Sequence, residues 1–234
     1  MTVCIALICA EVVGRDDKGR EMEARRIVVA TDWRVGSVLG SAETRLKLFA
    51  LRAGWNCACA GNDSDVLALV KALRGSLRGP SPVGAGQRPI IDETNIKPLV
   101  NAALNARKHE KADEYIQGRF ALSYDDFLKI GKDRFPPDVY RQAILDVSEL
   151  LLGAQAIVFG FLEDGLPIMI ETTERCSSHI RDDMAIIGEG MYLAQTALLQ
   201  RAYMNVFPLA DAIYHAYEAK RYAQGVGSVG DWTT

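Results

Sequence analysis

The sequence predicts an α+β protein built as a four-layer αββα sandwich, two antiparallel sheets stacked face to face and flanked by helices. Two observations carry this. Elements follow one another as strands, then helices, then strands, then helices, the order that two stacked sheets covered on both outer faces produce. The apolar fraction is 49% over 234 residues, enough to bury one large core, and a single domain is expected over residues 1–234.

Residues 3–9 and 27–32 are β-rich apolar runs, joined by the charged stretch 14–26, which reads as a solvated turn within one long hairpin. Strands are expected over 33–38 and 46–51, followed by Gly54 at a turn and a strand over 55–60. Gly61-Asn62-Asp63-Ser64-Asp65 then opens a helix. Asn62, Asp63 or Ser64 supplies its cap, Val66, Leu67, Leu69, Val70 and Leu73 recur at helical spacing, and Gly75 or Gly79 ends it. Pro80, Pro82 and three glycines make residues 79–87 a loop. Helices follow over 99–115, from Ser123-Tyr124-Asp125-Asp126 to near Gly131, and from Pro136-Pro137 to about Leu152. Apolar runs 154–161 and 166–172 flank the hairpin signal Glu163-Asp164-Gly165, and a short strand over 184–187 runs into Gly188-Glu189-Gly190. Helical patterns over 191–204 and 208–224 precede a glycine-spaced tail, 225–230, that ends in a final strand.

A net charge of −3 from 27 basic and 30 acidic residues creates no field for nucleic acid or an anionic membrane, so neither partner is expected. No apolar run approaches the roughly 20 residues that span a bilayer. The first residues lack the basic start and cleavage site of a signal peptide, and a cytoplasmic location is expected. Cys4, Cys9, Cys57 and Cys59 lie in apolar strand-like runs and are expected to be reduced and buried. Cys57-Ala58-Cys59 is short for half a metal site and has no second Cys/His pair beside it, so neither metal nor cofactor is expected.

The start Met1-Thr2-Val3-Cys4-Ile5-Ala6-Leu7 places a hydroxyl residue at the head of a strand with one methionine before it. Methionine is ordinarily removed before so small a residue, leaving a hydroxyl and a free α-amine on Thr2. Such an amine titrates near pH 8, against about 10.4 for lysine. It is therefore substantially neutral at physiological pH and can take the hydroxyl's proton as a general base.

Several motifs, in one order, resemble those of proteasome β-type subunits, members of the N-terminal-nucleophile hydrolase superfamily, and the likeness runs from Thr2 almost to the C-terminus. Val28-Val29-Ala30-Thr31-Asp32-Trp33-Arg34 resembles the family's strand ending in Ala-Asp-x-Arg. Leu46-Lys47-Leu48-Phe49 resembles its Lys-Ile/Leu-x-x-Ile strand, Ala60-Gly61-Asn62-Asp63-Ser64-Asp65 its Ala-Gly-x-x-x-Asp turn, and Ile186-Ile187-Gly188-Glu189-Gly190 its Ile-Gly-x-Gly element. The helix-rich segment 92–152 is similar to that of bacterial superfamily members.

The resemblance implies a threonine-type endopeptidase. Thr2 Oγ1 is the nucleophile and its own amine the base, Lys47 a cation beside it, Asp32 the carboxylate that positions Lys47, and the Gly61 backbone N–H the oxyanion donor. Arg34, Gly188 and Glu189 support the site, and by the same offsets Val35, Arg45, Phe49, Cys59 and Asp63 shape the substrate pocket. It further implies a homo-oligomeric ring or double ring enclosing the active sites, peptide or unfolded-protein substrates, and an ATP-dependent unfolding partner. The chain also departs from the pattern. Glu189 stands where the family places a hydroxyl, and a carboxylate beside the Thr2 amine favours its protonated form, weakening it as a base. The Asp and Ser that the family brings near the amine have Tyr222 and Gly225 as nearest counterparts, with Ser228 and Asp231 beyond. Two alternatives therefore stay open: a catalytically silent scaffold or compartment protein, and a small-molecule amide hydrolase.

Overall fold

Strand β1 (Val3–Arg15) is buried without a break from Val3 to Cys9, so both of its faces are covered. It runs between β2 (Glu21–Thr31) and β10 (Met184–Gly188) in a three-stranded antiparallel sheet. The computed structural model describes residues 2–32, 34–37, 40–43, 47–78 and 91–225. The first hairpin is longer than its apolar runs imply. Most of the charged stretch is strand, and the turn shrinks to residues 16–20, where the Asp16 carboxylate accepts the Lys18 and Arg20 N–H groups, each at 2.9 Å. Charged side chains extend the ladder because they stand in solvent; Arg26 reaches Glu11 across the strands at 2.7 Å.

The second sheet orders β5 (Leu48–Arg52), β6 (Trp55–Gly61), β7 (Ala154–Phe161), β8 (Pro167–Thr172) and β9 (Ser178–Arg181), all neighbours antiparallel. Four-residue β9 has no apolar signature; it exists because its backbone completes the β8 edge. In place of the single strand expected over 33–38, β3 (Arg34–Ser37) and β4 (Gly40–Glu43) pair as a small hairpin.

Alternation sorts these strands into layers. Cys4, Ala6 and Ile8 of β1 meet Ala58, Ala60, Ile157, Phe159 and Met169 of the other sheet in one buried cluster. The opposite face of β1, with Val3, Ile5, Leu7 and Cys9, packs under α5 (Met191–Gln200) and α6 (Leu209–Ala223). Cys57, Cys59, Ala156, Val158 and Ile170 on the outer face of the five-stranded sheet pack under α1 (Asp63–Arg78) and α2 (Glu93–Phe120). These are the four layers of an αββα sandwich. Each fully buried leucine or isoleucine in them contributes about 1.5–3 kcal/mol.

Helix α2 begins earlier than expected, on the N-terminal side of Pro98, because Asp92 caps it. Its carboxylate accepts the Thr94 and Asn95 N–H groups, each at 2.9 Å, while the Asn95 side chain accepts the Asp92 N–H at 3.1 Å. Of the two ends expected, α1 passes through Gly75 and runs to Arg78, directly before Gly79. Helices α3 (Tyr124–Arg134) and α4 (Pro137–Glu149) dock at the far end of α2 through Phe120, Phe127, Phe135 and Tyr140.

Candidate active site

Thr2 lies directly before β1 and is 3% exposed. The backbone around it is pinned from two sides: Val3 pairs with Gly188 on β10, and the Asp32 N–H donates to the Val3 carbonyl at 3.3 Å. Gly188 has φ +94°, and a Cβ there would stand 2.0 Å from the Thr2 carbonyl oxygen, so only glycine lets β10 approach this closely. Its N–H donates to Gln155 Oε1 at 2.9 Å, which ties the head of β1 to β7 and hence to the second sheet.

Asp32 follows the end of β2 and is fully buried. Lys47 Nζ stands 3.2 Å from Asp32 Oδ1, with 12% of the lysine side chain exposed. The Lys47 carbonyl accepts the Cys59 N–H at 2.9 Å, so the lysine backbone is fixed to β6 while its side chain reaches the end of β2. A buried carboxylate is costly without a partner, which makes Lys47 an integral member of the site.

Gly61 ends β6 with φ +128°, a conformation essentially confined to glycine, and a Cβ there would lie 2.3 Å from the Gly153 carbonyl oxygen. The Asn62 N–H donates to that same oxygen at 2.9 Å, and the Asn62 side chain then accepts the Ser64 N–H at 3.0 Å, turning the chain into α1.

These elements border one narrow cleft, lined by Thr2, Lys47, Phe49, Cys59, Gly61, Asp63, Val66 and Leu67. Of the residues named from the sequence, Thr2, Lys47, Gly61, Phe49, Cys59 and Asp63 therefore share one wall, and Asp32 and Gly188 reach it through Lys47 and the Thr2 backbone. Glu189 is solvent-exposed at the end of β10 and does not line the cleft. Arg45 and the side chains of Arg34 and Val35 lie outside the described residues, as do Met1, Ser228 and Asp231. Tyr222 is 53% exposed and lines a separate groove with Arg201 and Glu218, between α5 and α6.

Two lining residues, Val66 and Leu67, were legible only as helix positions. What would have found them is their offset from Gly61: a helix that starts two residues after a cleft glycine presents its first turns to that cleft. Gln155 and Gly153 carried no sequence signal, since their role comes from cross-strand register.

The thiols near the cleft are quiet. Burial pushes the Cys4 pKa far up and buried Asp32 adds to this; its thiol donates to the Cys59 carbonyl at 3.3 Å. A hydrogen bond to Cys57 and then burial raise Cys59 well above an ordinary thiol. A thiol held protonated attacks poorly, so neither cysteine is primed as a nucleophile. No protein-family model and no curated protein matches this chain.

Proposed function

We propose that the chain is an N-terminal-threonine endopeptidase that hydrolyses peptide bonds through Thr2 once Met1 is removed. The supporting observation is the convergence on one cleft of buried Thr2, a lysine paired with a fully buried aspartate, and a glycine in a backbone conformation closed to other residues. Thr2 Oγ1 attacks the scissile carbonyl while the Thr2 amine takes its proton, and that amine later returns the proton to the leaving amine. The ammonium of Lys47 lowers the cost of negative charge on Oγ1. The Gly61 N–H receives the developing oxyanion, an interaction whose loss costs about 100- to 1,000-fold in rate. Water then cleaves the acyl-enzyme ester by the reverse proton path. By the same resemblance, the subunits assemble as a homo-oligomeric ring or double ring in the cytoplasm and accept unfolded chains from an ATP-dependent partner.

Intact mass before and after treatment with a peptide epoxyketone, which bridges an N-terminal hydroxyl and amine, tests this reading. The expected result is a chain lacking Met1 that gains one adduct, and no adduct in Thr2→Ala. A chain that keeps Met1 and takes no label overturns the reading in favour of a silent scaffold, the alternative that Glu189 and the missing Asp/Ser pair support.

A further inference from the structure

We propose that Arg107 and Lys111 on α2 are positioning residues for Gly61, acting through Asp65 and Gly153 to set the angle at which the cleft receives an oxyanion. The inference rests on the peptidase reading above. Asp65 stands in the first turn of α1, four residues beyond Gly61, and its Oδ1 receives Arg107 Nη2 at 3.2 Å and Lys111 Nζ at 2.9 Å. Arg107 is itself buried, its side chain 8% exposed, and is neutralised further by Glu110 and Glu114 at 3.1 and 3.2 Å. Lys111 Nζ also donates to the Leu151 carbonyl at 3.2 Å, on the segment that leads into Gly153.

The carboxylate so held lies beside Gly153. With φ +69°, that glycine leaves no room for a side chain: a Cβ would fall 2.3 Å from Asp65 Oδ2. The Gly153 carbonyl in turn accepts the Asn62 N–H and abuts Gly61, which pairs with Ala154. Contact is therefore continuous from two α2 cations to the cleft, with a glycine at each narrow point. Docking α1 on α2 does not need these charges, because Leu73, Leu77, Val100 and Leu104 already pack there. A pair serving only as a surface bridge contributes little, and it would need neither a buried arginine nor two glycines. The cluster sits at the cleft end of α1, where the Asn62 N–H is held by the Gly153 carbonyl, and a small shift of Gly61 there turns the preceding Ala60–Gly61 peptide and with it the direction of the Gly61 N–H.

The test uses the full chain, with Arg107→Met, Lys111→Met, the double variant and Lys111→Arg, assayed on a fluorogenic peptide and with a reversible peptide aldehyde, whose hemiacetal carries the oxyanion. In the double variant kcat should fall about 10- to 100-fold with KM within about twofold, the size expected of a misplaced donor. Aldehyde affinity should fall in the same proportion, and Lys111→Arg should keep most activity. Hydrogen exchange over residues 58–66 should quicken while the body of α2 stays protected. If the double variant does not fold, the single variants must move the same readouts in the same direction. Unchanged kcat and aldehyde affinity beside a lowered Tm would overturn the inference alone. A wild-type chain with neither adduct nor hydrolysis would overturn the peptidase reading and this inference together.

Discussion

The two outer helical layers cover their sheets by opposite means. Under α5 and α6 the contact is made largely of alanines, Ala194, Ala197, Ala212, Ala216, Ala219 and Ala223, so the helix backbones lie close against Val3, Ile5 and Ala30. Under α1 and α2 it is made of bulk, with Leu69, Leu73, Leu77, Ile96 and Leu104 all fully buried. The cleft draws on both: close backbone approach sets its two ends, with Gly188 against Thr2 and Gly61 against Gly153, and the Gly61 end adds the charges around Asp65. The α5/α6 layer should suffer when atoms are added, the α1/α2 layer when atoms are removed.

The harshest way to break the contrast is Gly188→Ala. One methyl would meet the Thr2 carbonyl oxygen at 2.0 Å, a backbone atom that cannot rotate away, at a φ of +94° that alanine resists. Strain and overpacking together are expected to cost about 3 kcal/mol or more, and Thr2 should lose its reactivity toward the epoxyketone. Urea unfolding and intact mass read both effects. Wild-type stability and labelling in this variant would show that the Thr2 end of the cleft tolerates added volume.

A matched pair sharpens the comparison. Leu73→Ala removes volume from the α1 layer and should cost about 2–5 kcal/mol. Ala216→Leu adds volume to the α6 layer and should cost about 1–3 kcal/mol. Ala216 is 1% exposed and Leu73 fully buried, so neither change can escape into solvent. A neutral Ala216→Leu, measured by the same urea unfolding, would mean that alanine at this contact reflects no close packing.

How far the sequence foretold this division follows from its physics. The order of strands and helices, the head of β1 and the Gly61 turn were legible because periodicity and turn residues are local signals. So was the set Thr2, Asp32, Lys47 and Gly61, which rests on motif order along the chain. The α2 start was hidden by Pro98, whose helix-breaking tendency outweighs on paper a capping box visible once the Asp92 and Asn95 side chains are placed. Gly188 was named for its motif, yet its contact with Thr2, like the contact of Gly153 with Asp65, depends on register between strands far apart in sequence. β9 was illegible for the same reason.

Thiol chemistry probes both halves with less disturbance. The thiolate is the reactive form, and burial raises the pKa of Cys4, between the sheets, and of Cys176, at the partly covered edge; Cys59, under α1, is raised by its bond to Cys57 and by burial. A raised thiol pKa means less thiolate at any given pH, so alkylation should be slow at pH 8 and should quicken as pH rises. Cys176 is the one of these three with solvent access, and it should be alkylated first in the native protein. Prompt labelling of Cys4 or Cys59, located by peptide mass mapping at pH 8, would show that one of the layers opens on the timescale of the reaction.

The smallest effect carries the opposite sign and marks where the bulk-packed half has slack. Gly75 lies on the exposed face of α1, and a Cβ there meets nothing within 4 Å beyond its own helix. Glycine within a helix gives the unfolded chain freedom that alanine does not, so Gly75→Ala should stabilise the protein by about 0.5–1 kcal/mol. Because α1 carries Asp65 at its other end, a gain in stability with unchanged kcat would separate the stiffness of the helix body from the placement of its first turn. A change in kcat would instead mean that fraying at residue 75 is felt at Gly61, and that the Gly61 end of the cleft is held by the whole of α1 rather than by its charged first turn.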